Sequence, residues 1–350
     1  MRKKRLQAGV IGSGMGRYHM EAYANHPDVD LVAVCDLNEA EAKVMADRFG
    51  AKHVFTDYLK MYELPLDLVS IATPNYLHAP MAIAALQAGM HVLTEKPMAT
   101  TVADAKAMVA AARKAKKRLM VDMSLRFNPT HAAMKQMAAS GRLGEIYFGR
   151  AGMLRRKSVP SLDFPVETAT MGRGRWFVNR KQAGGGALMD IGVHTLDFTW
   201  WLMGQPQPVS AAAVTYAKLA PPRWKAAGIE ADVDELAAAL VRFEGGASII
   251  FEVTWAGHQP GDWYVKIYGT EAGLCLNDKL GLYSEVEGYQ AVTTPDTHGE
   301  CESAYQHFVR AVQNPDLPML ACGEAGLAVV QMLCAINESA TKGGEVRIGA

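Results

Sequence analysis

The feature that most constrains this chain is a rhythm in its first third. From residue 6 to about 122, short apolar runs alternate with amphipathic stretches, the pattern by which strand-helix-strand units build a parallel sheet. Strands are expected at Leu6–Ile11, Leu31–Cys35, His53–Phe55, Leu68–Ala72, His91–Leu93 and Leu119–Asp122. Helices are expected near Gly16–Asn25, Glu39–Arg48, His78–Ala88 and Val102–Lys116. Crossovers between parallel strands are right-handed, so this order winds a sheet with helices on both faces.

The rhythm changes after residue 123. A helix near Pro129–Ala139, a glycine run at Gly184–Gly186 and a helix from about Ala187 to Leu202 are followed by strand patterns at Val209–Tyr216, Glu235–Phe243, Ala247–Trp255 and Trp263–Tyr268. Glu244-Gly245-Gly246 between two of these predicts a hairpin turn. Two helices, near Glu302–Val312 and Glu324–Thr341, end the chain. Two domains are therefore expected, 1–123 and 124–350, the second an α+β unit with an open, mainly antiparallel sheet. The stretch Arg155–Arg175, with Pro160 and Pro165, predicts a long loop of the kind that often carries function.

Composition removes several classes of partner. Lys+Arg and Asp+Glu balance at 36 each, so no net charge draws the chain to nucleic acid or to an anionic membrane. No stretch approaches the roughly 20 apolar residues of a membrane span. The basic start Met1–Arg5 resembles a signal-peptide n-region, but the following apolar run, Leu6–Ile11, ends in glycines and reads as a first strand. The five cysteines are scattered and never spaced as C-x-x-C, which suggests neither a disulfide framework nor a zinc site and fits a cytoplasmic protein.

Three clusters carry chemistry. The first strand runs into Gly12-Ser13-Gly14-Met15-Gly16, where small residues permit a tight turn and bring helix N–H groups against a pyrophosphate. The spacing is a shortened variant of G-x-G-x-x-G, because Arg17 stands where the third glycine belongs. Asp36 ends the second strand at the interval expected of an acid that binds an adenosine ribose, which makes the first domain a Rossmann domain and favours NAD over NADP. Thr73-Pro74-Asn75 with His78, and Glu95-Lys96-Pro97, follow the fourth and fifth strands, at the sheet edge where ligands bind. The third cluster runs from Gly184 to His194. On a helix, Asp190 and His194 share a face, so the carboxylate can support a histidine that exchanges a proton. Asp190 and His194 with His19 are too scattered to argue for a metal, and none is expected. Asp197 and Trp200 are expected to pack.

These residues together resemble the Gfo/Idh/MocA family of oxidoreductases, named for glucose-fructose oxidoreductase and inositol dehydrogenase. The resemblance rests on Gly12 to His19, Asp36, Thr73-Pro74-Asn75 with His78, Glu95-Lys96-Pro97, the run to His194, and Ile267 to Gly273 with the helix from Gly323. It implies that Lys96, Asp190 and His194 are catalytic and that the Lys96–Pro97 bond is cis. It implies an NAD cofactor held by Gly12, Gly14, Met15, Gly16, Asp36, Thr73, Pro74, Asn75, His78, Glu95 and Lys96. The substrate is expected to be a sugar or polyol, oxidised by hydride transfer from a carbinol carbon. Arg126, Arg155, Arg156 and Trp176 are candidate sugar contacts, beside Lys96, Asp190 and His194. Trp255, Trp263 and Tyr283 are candidates for a core or a subunit interface, since relatives pack the open sheet into a homo-oligomer, here a dimer or tetramer. A redox-assisted glycosidase with retained NAD and a dinucleotide-binding sensor stand as alternatives.

Overall fold

A computed structural model describes residues 5–157, 174–226, 228–297 and 299–349. Most of the expected loop over Arg155–Arg175, with Pro160 and Pro165, lies outside them. The chain forms two compact units, neither continuous in sequence: 5–123 with 174–184 and 302–330, and 124–157 with 185–301 and 331–349. The junction expected at 123/124 is thus only the first of several crossings.

The first unit holds a parallel six-stranded sheet of β1 (Leu6–Ile11), β2 (Val29–Cys35), β3 (His53–Phe55), β4 (Leu68–Ile71), β5 (His91–Thr94) and β6 (Leu119–Val121). Its order is β3-β2-β1-β4-β5-β6, which reverses between β1 and β4 and makes the fold a doubly wound Rossmann sheet. Strands β4 and β6 are buried along their whole length, as sheets covered on both faces require. The connecting helices are α1 (Gly16–Ala24), α2 (Glu39–Phe49), α3 (Tyr58–Met61), α4 (His78–Gln87) and α5 (Val102–Ala115). Local chemistry sets their ends. Asn38 caps α2 by accepting from the Glu41 N–H, Thr101 caps α5 through the Asp104 N–H, and Gly50 closes α2 at φ 76°.

The second unit is built on a nine-stranded sheet, with α6 (Pro129–Ala139), α8 (Val193–Leu202) and α9 (Ala220–Ala226); the short helix α7 (Arg180–Ala183) belongs to the first unit. The strands are β7 (Ile146–Leu154), β8 (Pro208–Tyr216), β9 (Leu236–Phe243), β10 (Ser248–Thr254), β11 (Asp262–Gly269), β12 (Ala272–Leu276), β13 (Leu280–Val286), β14 (Tyr289–Thr293) and β15 (Val346–Arg347). All neighbours pair antiparallel except β7 with β10, and the turn at Glu244–Gly246 joins β9 to β10 as expected. One face of this sheet is core, with Ala151, Val241, Ile249, Phe251, Val265 and Ile267 all buried. The other is open. On that face stand Val214, Tyr216, Ile250, Tyr268 and Tyr283, all exposed.

The closing helices are α10 (Ala304–Gln313), which starts with a reciprocal Ser303–Gln306 capping box, and α11 (Gly323–Lys342). The start of α11 packs on the Rossmann sheet because it lacks side chains there. A Cβ on Gly326 would stand 2.7 Å from Met98 Sδ and Val121 Cγ2.

Candidate active site

The end of β1 leads into a turn that only glycine can make. Gly12 has φ 95°, and a Cβ on it would lie 2.3 Å from the Ala72 carbonyl oxygen on the neighbouring strand. Met15 is the N-cap of α1, and Gly16 lets that helix approach Val10, 3.1 Å from where its Cβ would be. Between the ends of β1, β2 and β4 opens a cleft of about 370 Å³ lined by Gly12, Ser13, Gly14, Asp36, Thr73 and Pro74 among others. The Ser13 hydroxyl is buried in it without a hydrogen-bond partner. The Asp36 carboxylate is fixed by two backbone donors, the Ser13 N–H at 2.7 Å and the Asn38 N–H at 2.9 Å. A glycine cradle, an unsatisfied hydroxyl and an oriented carboxylate fit the pyrophosphate and ribose of NAD. The cleft also contains Asp57, Tyr58, Tyr76 and Met81, which sequence reasoning missed. Asp57 and Tyr58 follow β3, so the rule that ligands bind at strand ends pointed to them.

Several residues expected at the cofactor make hydrogen bonds from the turns that follow β4 and β5. Asn75 is buried and donates its amide to the Ala183 carbonyl at 2.8 Å. His78, fully buried at the start of α4, stands 2.8 Å from both the Thr73 and Pro97 carbonyls, so one ring ties the turn after β4 to the turn after β5. Burial pulls its pKa down while the two carbonyls pull it up. The Lys96–Pro97 peptide is cis. Glu95 turns its carboxylate inward, toward His19 at 3.4 Å and toward the Lys96 backbone N–H at 3.2 Å.

In the second unit the predicted helix begins differently: Leu188–Gly192 is one turn of π-helix, a form often found at functional sites, before α8. Asp234, which sequence reasoning missed, holds its start by accepting from the Gly186 and Leu188 N–H groups, each at 2.8 Å. Gly186 is obligatory there, since a Cβ would lie 1.7 Å from the Asp234 carbonyl oxygen. From 185 to 203 every residue is buried except two, Asp190 and His194. The Asp190 carboxylate accepts from the Trp255 indole N–H at 2.9 Å, which gives that fully buried tryptophan a specific task.

The candidate sugar contacts separate. Arg126 is buried and forms a two-point pair with Asp197, Nε to Oδ2 at 2.9 Å and Nη2 to Oδ1 at 2.6 Å, with side-chain exposures of 0% and 1%. Arg126 is thus a buried cation with Asp197 as its counter-ion. Trp176 is also buried, edge-on to Phe177. Arg155 and Arg156 follow β7, partly exposed and exposed, which keeps both as candidates. Trp263 lies near the His131 ring, whereas Tyr283 lies on the open sheet face.

Among the described residues, His19, Glu95 and Asp122 are one group whose donor atoms come within 4.8 Å of one another, close enough to suggest a cation. His19 Nε2 stands 3.4 Å from Glu95 Oε1, and His19 Nδ1 and Asp122 Oδ1 are buried without a hydrogen-bond partner.

A doubly wound sheet with this glycine turn and carboxylate defines a dinucleotide-binding oxidoreductase. Residues 6–123 match the oxidoreductase family with an NAD-binding Rossmann fold, and 131–275 match the Gfo/Idh/MocA C-terminal domain. The chain belongs to the Gfo/Idh/MocA family. It is 29% identical to a D-glucoside 3-dehydrogenase of Escherichia coli K12, over 98% of this chain and 97% of that one. It is 31% identical to a levoglucosan dehydrogenase of Pseudarthrobacter phenanthrenivorans, over 84% and 81%. A solved levoglucosan dehydrogenase in complex with NADH and levoglucosan superposes with TM-score 0.85 at 27% identity, covering 99% of this chain and all of that one.

Proposed function

We propose that this protein is an NAD-dependent dehydrogenase that oxidises a carbinol of a sugar, sugar derivative or polyol, with Lys96, Asp190 and His194 as its proton-handling residues. The observation that carries the reading is the burial pattern at 185–203, where only Asp190 and His194 escape the core. A protein that bound a dinucleotide merely to sense it has no need to keep an acid and a histidine in reach of solvent within so apolar a segment. NAD bound at the Gly12 turn supplies the hydride acceptor. His194 takes the hydroxyl proton, and Asp190, held by Trp255, stabilises the charge that develops on the ring. Lys96 donates a hydrogen bond to the substrate oxygen. The relatives named for glucoside and levoglucosan oxidation support a sugar-like substrate.

Two further features belong to this proposal. The open sheet face with Val214, Tyr216, Ile250, Tyr268 and Tyr283 supports a homo-oligomer, because exposed apolar side chains in one array favour association. Among the described residues no helix is long and apolar enough to cross a membrane. The scattered cysteines support a cytoplasmic site of action.

The test mixes the protein with excess NAD and a panel of polyols, free sugars and glycosides, following reduced nicotinamide and aglycone together. NADH is expected to accumulate, and His194→Ala and Lys96→Ala are each expected to cut kcat by about a hundred- to ten-thousand-fold. Aglycone release without NADH would instead assign a redox glycosidase.

A further inference from the structure

The residue before Lys96 opens onto a buried set of titratable side chains that the reaction above does not use. They are His19 on α1, Glu95 after β5, Asp122 after β6 and Tyr305 in the first turn of α10, all within the first unit. His19, Glu95 and Asp122 have side-chain exposures of 0%, 12% and 7%. Glu95 divides its carboxylate: Oε1 stands 3.4 Å from His19 Nε2, and Oε2 accepts the Lys96 backbone N–H at 3.2 Å. Asp122 Oδ2 lies 3.9 Å from the same histidine nitrogen, and the Tyr305 ring meets the His19 ring edge-on at 4.7 Å.

Stability alone does not account for such a set. Two carboxylates and an imidazole are costly to bury, and apolar residues of similar volume are often at least as stabilising. What the set accomplishes is placement. His19 lies on the helix that follows the glycine turn and reaches, through Glu95, the backbone of Lys96. His78 on α4 holds the next residue from the other side through the Pro97 carbonyl. Two histidines from two helices therefore bracket the turn.

We propose that His19, acting through Glu95, is a positioning residue for Lys96, with Asp122 and Tyr305 fixing the His19 ring. The inference rests on the reading of Lys96 as catalytic. Electrostatics supports the geometry. Burial pushes Glu95 up, but the hydrogen bond and charge of His19 and the Lys96 charge outweigh it and hold Glu95 down to about 2, so it remains an anionic acceptor across the neutral range. Burial and then the Glu95 charge push Asp122 up to about 6. The groups that face Asp122 are Glu95, His19, Lys96, Tyr305 and Tyr23. The His19 ring should thus be held differently below that pH.

The experiment compares His19→Leu, His19→Gln, Glu95→Gln and Asp122→Asn with Lys96→Ala. In the NAD-free protein, acetylation of Lys96 by trace acetic anhydride is read against the exposed Lys60 by peptide mass spectrometry. In the presence of NAD and substrate, kcat and KM are measured from pH 5 to 9. His19→Leu and Glu95→Gln should lower kcat by about a hundredfold, the cost of a displacement near 1 Å, with the KM for NAD nearly unchanged and Lys96 acetylation clearly altered. His19→Gln should recover most of the loss, because its amide nitrogen reaches the Nε2 position. Asp122→Asn should abolish a fall in kcat below about pH 6 that the wild type shows. If Lys96→Ala is inactive while Glu95→Gln and both His19 variants keep wild-type kcat and Lys96 labelling, the positioning role is wrong and Lys96 stands. If Lys96→Ala is fully active, the catalytic reading fails and takes this one with it. Activity lost to EDTA and restored by a divalent cation would replace the proton cluster with a metal site.

Discussion

Replacing Arg126 by Met separates a core ion pair from a substrate contact. The guanidinium is wholly buried, makes two hydrogen bonds to Asp197, and lies 5.6 Å from the Trp201 ring centroid. Met fills much of the same volume, so the principal change is that the Asp197 carboxylate, 1% exposed, loses its counter-ion. Breaking a buried pair on one side costs about 3–5 kcal/mol, whereas replacing both partners by apolar residues is often neutral or stabilising. Urea unfolding followed by tryptophan fluorescence should therefore show Arg126→Met with a midpoint lower by about 2 M, taking ~4 kcal/mol over a slope near 2 kcal/mol/M. Arg126→Met combined with Asp197→Leu should recover most of that shift, and kcat/KM of the folded fraction should change little. A native midpoint in the single variant together with a raised KM for the sugar would refute the argument and return Arg126 to the substrate.

Asp36→Ala should narrow the preference for NAD over NADP by about tenfold, corresponding to ~1.4 kcal/mol, because it removes the like charge that faces a 2′-phosphate; kcat/KM for the two cofactors measures it, and a wild-type preference for NADP would defeat the reading. Asp122 gives a pH test of stability. A carboxyl raised from 3.8 to about 6 contributes stability that is fully present below 3.8 and lost as pH rises through 6. Wild type should therefore lose up to ~3 kcal/mol relative to Asp122→Asn across that window. Glu95, held down to about 2, acts in the opposite sense and is lost on acidification below its usual range. An unfolding difference between wild type and Asp122→Asn that is flat from pH 4 to 7 would contradict the Asp122 assignment.

The elements legible in sequence are those whose pattern is local. The Rossmann strands read clearly because each is a short apolar run bounded by turn chemistry, and α2 and α5 carry their caps beside them. Strand β7 was missed because Gly149 and Gly152 interrupt its pattern, and those glycines answer to distant residues. A Cβ on Gly149 would stand 2.8 Å from Met203 Sδ and Thr199 Cγ2, and one on Gly152 would stand 2.5 Å from the Tyr264 ring. The π turn was missed for another reason: its residues carry a helix-like apolar pattern, and what shapes its start is Asp234, more than 40 positions away.

The same distinction runs through the site. Asp190 and His194 stand out in the sequence because they are four residues apart in one helix-like stretch, and Gly12 because a strand leads straight into it. What one sequence does not separate is a polar residue that meets a ligand from one that holds the protein, since both use the same residue types at the same strand ends and helix starts. His78 and His194 illustrate it. Each is a histidine at the beginning of a helix, yet His78 is fully buried between two backbone carbonyls while His194 is partly exposed within an otherwise buried run. Asn75, His78 and Glu95 are polar residues whose hydrogen bonds run to the protein's own backbone and side chains, and the residue types at those positions do not announce it.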